Sequence, residues 1–306
     1  MMIYLIIVLV LILLYLISTF IMFNVVSKRM KNKQLTVINE ALEEALAPYQ
    51  NIIDIGNLWM EKQNKEQIYI KSEDGLKLHG MLIRHPNPKG IFIEAHGYRS
   101  NVERDLYPSC YQYYKMGYSL LLIDQRASGK SEGKYITFGM RESEDIICWC
   151  KFVNDAFKLP IVLAGVSMGA TSVMMAMKDL RADMRVKYVI SDSGYNDAYK
   201  EVIHAINHYF HIPGILFIFG INLWCKLIAK FSLKEKKVVD CIQNKRIPLL
   251  LIHGEEDDFV PPINSKIIHE AYKGKKEFEL FEEAHHGMSY LVDSKKYVSL
   301  IKKMIR

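Results

Sequence analysis

A chain of 306 residues, half of them apolar, can bury one large core and carry an additional segment. Its formal charge of +6 is modest and partly local, which speaks against a dedicated nucleic-acid binder. Cys110, Cys148, Cys150, Cys225 and Cys241 are odd in number and scattered in spacing. They exclude a simple disulfide framework and read as reduced, mostly buried thiols.

Residues 2–23, "MIYLIIVLVLILLYLISTFIMF", carry no charged side chain. As a helix they would span roughly 33 Å, the thickness of a bilayer's hydrocarbon core. A cleaved signal peptide would show a basic start, a shorter apolar stretch and a small-x-small site, and none is evident. An uncleaved single-pass anchor over residues 1–25 is therefore expected, with membrane lipid as its partner. Lys28, Arg29, Lys31 and Lys33 follow it, so the positive-inside rule places the remaining chain in the cytoplasm. Residues 26–65 read as a basic juxtamembrane segment and connector. Within it Leu35, Ile38, Leu42 and Leu46 share one helical face, and Pro48 helps to end that helix.

From residue 66 the pattern changes. "QIYIK", a turn at Ser72-Glu73-Asp74-Gly75 and "LKLHGMLIRH" predict a hairpin. The runs "GIFIEAHG", "YSLLLIDQR", "PIVLAGVS", "KYVISDSG" and "IPLLLIHG" follow, with helical patterns between most of them. Continuous apolar strands alternating with helices predict an α/β domain over 66–306, its mainly parallel sheet covered on both faces. Residues 202–225 break the rhythm, because they contain no Asp, Glu, Lys or Arg. Pro213, Gly214 and Gly220 would interrupt a second membrane span. A mostly helical cap insertion, about 195–240, accounts for the segment better, and in an anchored enzyme such a cap could touch lipid.

Open parallel sheets bind ligands beyond the carboxyl ends of their strands. The polar groups expected there are His96, Tyr98, Asp124, Arg126, Ser167, Asp192, His253, the carboxylates of 255–258, His285 and His286. A serine, a carboxylate and a histidine thus fall in that order at one edge. A serine hydroxyl needs a base within hydrogen-bond reach, histidine suits that task, and a carboxylate fixes the ring's tautomer. Gly165 and Gly169 flank Ser167 in "GVSMG" and would let the strand turn sharply into a helix. The helix start would offer free N–H groups to a developing oxyanion. Glycines at a strand end are also ordinary turn chemistry. The strand–turn–helix context and the Ser…Asp…His order favour the nucleophile. On residues alone, the choice among four carboxylates and between two adjacent histidines stays open.

"HGYRSN" (96–101), "DQRASGKSEGKYITFG" (124–139), "GVSMG", "HGEEDDFVP" (253–261) and "AHHGMSY" (284–290) together resemble the α/β-hydrolase superfamily over about residues 66–306. Within it the chain looks like bacterial serine hydrolases of the serine-aminopeptidase-like and cinnamoyl-esterase-like kind, including membrane-anchored relatives. Ala127-Ser128 departs from them, where relatives often carry Gly-His. The resemblance selects Asp257 and His286 as partners of Ser167, and the backbone N–H groups of Tyr98 and Met168 as the oxyanion hole. It treats His96 and His253 as structural loop residues. The triad order and the elbow point to two-step acyl transfer through an acyl-enzyme, and the uncharged cap, which favours an apolar acyl or aryl group, points to carboxylic ester hydrolysis. An aminopeptidase acting on short peptides is the alternative, for which Asp192, Asp197 or Glu201 would hold the free amine. A non-catalytic membrane-bound binding module on the same scaffold is the third reading. No metal, organic cofactor or nucleic-acid partner is expected. "GKS" at 129–131 is no phosphate loop, since Asp124 stands where a glycine is required. His204, His208 and His211 share a helical face without carboxylate or cysteine company, and read as pocket lining or cap packing.

Overall fold

The computed structural model describes residues 1–30 and 44–305. Helix α1 (Met2–Ser27) is apolar and buries only Thr19, Phe23, Val26 and Ser27. Among the described residues it is the one helix long and apolar enough to cross a membrane. Most of the expected connector face, with Lys31, Lys33, Leu35, Ile38 and Leu42, lies outside the described residues. The α-helical residues 44–46 end just before Pro48, as expected, but helical structure resumes after it. Pro48 stands in the first turn of a 3-10 segment, Ala47–Tyr49, and α2 (Gln50–Glu61) follows at once. A first turn has no helical acceptor for an N–H, so a proline there forfeits nothing.

The hairpin forms as expected, from β1 (Glu66–Lys71) and β2 (Lys77–Ile83). The chain then alternates: β3 (Gly90–Ala95), α3 (Val102–Lys115), β4 (Tyr118–Asp124), α4 (Glu142–Phe157), β5 (Ile161–Val166), α5 (Met168–Ala176) and β6 (Val186–Asp192). The uncharged insertion follows as α6 (Ala198–Phe210) and α7 (Ile215–Leu227), then α8 (Val238–Ile242). The domain closes with β7 (Leu249–Gly254), α9 (Ile263–Ala271), β8 (Lys276–Phe281), α10 (Ser289–Val292) and α11 (Ser294–Met304).

The eight strands lie in the order β1-β2-β4-β3-β5-β6-β7-β8. β2 is antiparallel to both its neighbours, and β4 to β8 run parallel with β3 between β4 and β5. Every residue of β3, β4 and β7 is buried, which is why these strands read as mostly apolar runs without polar alternation. Residues of α4 and α5 pack over one face, joined by Phe23 of α1, and residues of α3 and α11 pack over the other. The insertion is two helices rather than one span. His211 turns left-handed at φ 54°, and the Gly214 N–H donates to Asn207 Oδ1 at 2.7 Å.

Buried carboxyls make stability depend on pH, Glu94 among them. Glu94, on β3, is 2% exposed, and its Oε1 has no partner among the described residues. Burial pushes its carboxyl from 4.5 up to about 8. Between those values the folded chain holds a proton that the unfolded chain releases. Its stabilising contribution is therefore complete below about pH 4.5 and is lost as pH rises to about 8. The melting temperature in detergent should fall across this window, and Glu94→Gln should flatten the fall. An unchanged slope in the variant would locate the effect elsewhere.

Candidate active site

The site grows from the junction of β5 and α5. Ser167 alone makes the turn, with φ 56° and ψ −120°, a backbone state that L side chains rarely adopt. Its N–H donates to the Asp192 carbonyl at 2.8 Å. The flanking glycines are required by close approach. A Cβ on Gly165 would sit 2.4 Å from the Gly169 carbonyl carbon, and one on Gly169 would sit 2.1 Å from the Ala95 oxygen. The elbow thus packs backbone against backbone and presents the serine above the sheet.

Three of the residues expected from sequence meet there. His286 Nε2 is 2.8 Å from Ser167 Oγ, and His286 Nδ1 is 2.7 Å from Asp257 Oδ2. An ionised carboxylate only accepts, so Nδ1 carries the hydrogen and Nε2 is left to accept from the serine hydroxyl. The Asp257 side chain is fully buried. Its Oδ1 accepts the N–H groups of Phe259 at 3.1 Å and Val260 at 2.8 Å. His253 Nε2 lies 3.2 Å from Oδ2 and donates to the Val260 carbonyl at 2.7 Å. Burial alone would raise the Asp257 carboxyl. Hydrogen bonds and electrostatic attraction from His253 and His286 outweigh burial and hold it well below the usual carboxylate range.

The loop after β3 lies against this elbow, since a Cβ on Gly97 would be 3.2 Å from the Ser167 Cβ. The Gly97 N–H donates to Asp105 Oδ2 at 2.7 Å, which pins the loop beside Tyr98. Met168 opens α5, so its N–H has no acceptor within the helix. The Tyr98 hydroxyl donates to the Val26 carbonyl at 2.6 Å, and the Arg99 guanidinium donates to the Val25 carbonyl. Burial pushes the Tyr98 phenol up to about 12, so it keeps its donor proton. The last turn of α1 therefore holds the loop that carries Tyr98.

Other residues expected at this edge do different work. Asp124 pairs with His79 at 2.7 Å, and Arg126 with Asp145 at 2.7 Å and Asp74 at 2.9 Å, which ties the loop after β4 to the hairpin. His96 Nδ1 lies 2.8 Å from its neighbour's carbonyl, Gly97 O. His285 points outward beside Glu256 at 3.5 Å. Asp192 accepts from Ser193 at 3.0 Å and Ser289 at 3.3 Å. Burial pushes it up to about 6 against those bonds. Asp197 caps α6 and pairs with Lys237 at 3.2 Å. Glu201 is buried, its Oε1 lacks a partner among the described residues, and burial with the nearby Asp257 charge pushes it up to about 8. His204 Nε2 bonds to the Asp258 carbonyl at 2.8 Å and its ring stacks near His208, whereas His211 lies past the helix end in a left-handed turn and leaves their common face. Among the described residues no cluster of three His, Cys, Asp or Glu side chains is placed to hold a metal.

Sequence reasoning missed two parts of the site. Phe259 stands edge-on to the His286 ring at 4.8 Å, and the carbonyls of Val25 and Val26 reach the loop after β3. The His253–Asp257 contact was open to discovery, because both residues sit four apart at the end of one apolar run.

A serine hydrolase family, "Serine hydrolase (FSH1)", matches residues 150–287, which include Ser167, Asp257 and His286. "Uncharacterized protein YqkD" of Bacillus subtilis (strain 168) is 23% identical over 249 residues, covering 80% of each chain. Among solved structures, the Pyrococcus furiosus esterase Pf2001 superimposes with a TM-score of 0.65 at 24% identity, over 79% of this chain and 90% of that one. The alpha/beta hydrolase GrgF from Penicillium sp. sh18 does so at 0.62 and 15% identity, over 79% and 98%. Strand order, elbow and the matched family agree: the chain has the α/β-hydrolase fold and is a hydrolase.

Proposed function

We propose that the protein hydrolyses a carboxylic ester with an apolar acyl or aryl group by two-step acyl transfer. The observation that carries this is the unbroken line from Ser167 Oγ through the His286 ring to Asp257, with links of 2.8 and 2.7 Å. In the first step Ser167 Oγ attacks the ester carbonyl while its proton passes to His286 Nε2. Negative charge collects on the carbonyl oxygen, within reach of the Tyr98 and Met168 N–H groups. The C–O bond to the alcohol then breaks, and the alcohol leaves with the proton from Nε2. Water repeats the sequence against the acyl-enzyme and releases the acid. Asp257 stays ionised throughout and keeps Nδ1 protonated.

Residues 1–25 act as the anchor and 66–306 as the hydrolase domain, with the cap at 195–240. Lys28, Arg29, Lys31 and Lys33 favour a cytoplasmic domain. The ester reading is favoured over the peptidase reading by the state of the three candidate amine-binding carboxylates. Asp197 is engaged by Lys237, Asp192 is buried under two serine hydroxyls, and burial beside Asp257 disfavours the charged form of Glu201, pushing its carboxyl up to about 8.

Nitrophenyl esters should therefore be cleaved well and aminoacyl anilides poorly. Because the Asp257 carboxyl is held far below neutrality, it stays charged across the working range. Activity should fall on acidification, because an imidazole already protonated at Nε2 cannot take the serine's proton. Faster cleavage of the anilides, or a pH-independent rate, would contradict the assignment.

A further inference from the structure

The cap helix α7 lies along α1. The Gly220 N–H faces Tyr15 Oη at 3.3 Å, and Trp224 Nε1 donates to Thr19 Oγ1 at 3.2 Å. The Phe20 and Trp224 rings meet edge to face at 5.2 Å. Gly220 allows this approach, since a Cβ there would sit 2.5 Å from Thr19. Small residues bring helices together in the same way inside bilayers. Residue numbers rise together along the two helices, so they run parallel. At 1.5 Å per residue, α7 stands level with about residues 12–24 of α1. That is the C-terminal half of the uncharged stretch 2–23.

The face of α7 turned away from the domain is apolar. Ile215, Leu216 and Phe219 are 62%, 61% and 70% exposed, and Tyr209 and Phe210 at the end of α6 are exposed beside them. Grouped large side chains of this kind mark an interaction surface. The first cation on α7 is Lys226, in its last turn, at the same end where α1 gives way to Lys28 and Arg29. This common fringe is what two helices crossing one headgroup layer would show. An aromatic path links the exposed tip to the site. Tyr209 meets Phe259 at 5.3 Å, and Phe259 meets His286 at 4.8 Å. The loop carrying Tyr98 is bonded to Val25 and Val26, so the reacting carbonyl would lie at the height of the last turn of α1. Lipid ester groups occupy that level, just outside the hydrocarbon core.

We propose that the α6–α7 hairpin is seated in the same leaflet as the C-terminal half of α1, and that the site takes an acyl ester held in that leaflet. This rests on the reading of the chain as an anchored ester hydrolase. The occupant of the apolar face is lipid acyl chain, and the substrate class is a bilayer-resident long-chain ester.

The test uses the full chain in phosphatidylcholine–phosphatidylglycerol vesicles, with Cys148→Ser removing the half-buried thiol and the other four cysteines buried. A nitroxide on Leu216→Cys is compared with one on Ile12→Cys, in α1, and one on the exposed Lys273→Cys. The Leu216 label should collide with dissolved oxygen and be shielded from a water-soluble nickel chelate, as the Ile12 label is. Chelate access like that of the Lys273 label, or access of the chelate to the Ile12 label itself, would overturn the seating.

A second readout concerns substrate. Phe219→Asp should lower, at least tenfold, the ratio of rates on nitrophenyl palmitate dissolved in the vesicles to rates on soluble nitrophenyl acetate. An unchanged ratio would overturn the lipid route while leaving ester hydrolysis intact. Failure of the unmodified chain to cleave either ester would overturn the hydrolase reading and the substrate class with it, while the nitroxide result would still decide the seating.

Discussion

Replacing Ser167 by alanine will lower kcat on a nitrophenyl ester by about 10⁵-fold, with little change in KM and only a small change in melting temperature. The expected size follows from what the hydroxyl does. It is the atom that bonds to the acyl carbon, and no other hydroxyl stands within hydrogen-bond distance of His286 Nε2 among the described residues. The fold should survive because the serine's main-chain anchor, its N–H on the Asp192 carbonyl, does not involve the side chain. Alanine also tolerates φ 56° about as well as serine does. The loss leaves His286 Nε2 without its partner, at a cost of about 1–3 kcal/mol if no water replaces it. Residual activity above a thousandth of the original would show that another group attacks the carbonyl.

The second large effect belongs to Asp257→Asn, which should reduce kcat by about 10⁴-fold. The surroundings dictate how the amide would sit. Oδ1 receives two main-chain N–H groups, from Phe259 and Val260, so the amide oxygen must stay there. The NH₂ then faces His286 Nδ1, which can meet it only as an acceptor. The ring is forced into the tautomer with its hydrogen on Nε2, and that nitrogen can no longer take the serine's proton. The same NH₂ would confront the His253 Nε2–H, so the variant should also lose stability. The tautomer account has a signature that simple unfolding lacks, since rate should collapse at temperatures where the variant is still folded. A variant keeping more than a tenth of wild-type kcat would contradict it.

Much of this was legible in the residues, for identifiable reasons. β3, β4 and β7 announce themselves because strands buried on both faces carry no polar alternation. The elbow announces itself because its backbone crowding tolerates only glycine at positions 165 and 169. The choice of Asp257 over its three acidic neighbours came from family resemblance alone, and its physical basis is burial. The Asp257 side chain is fully buried in the loop after β7, while Glu256 points outward to His285. α2 was hidden by Pro48, which reads as a stop but stands where a helix has no N–H to lose. The hold of α1 on Tyr98 and Arg99 was hidden for another reason. It joins main-chain carbonyls to side chains more than 70 positions away, and a carbonyl leaves no mark in a sequence.

Those hidden contacts alter the meaning of the N-terminal helix. A plain tether could be cut without consequence for catalysis. Here the last turn of α1 bonds to the loop beside the elbow and shields the cap helix along one side. Geometry at Tyr98 and the position of the cap therefore depend on a segment that is apolar enough to span a bilayer.

The most direct measurement is the site of covalent capture. The full chain is treated with a fluorophosphonate, digested, and the adduct located by mass spectrometry. A single adduct on Ser167, abolished by Ser167→Ala and much slowed by Asp257→Asn, is the predicted result. An adduct on any other residue, or labelling of Ser167→Ala at the wild-type rate, would contradict the account.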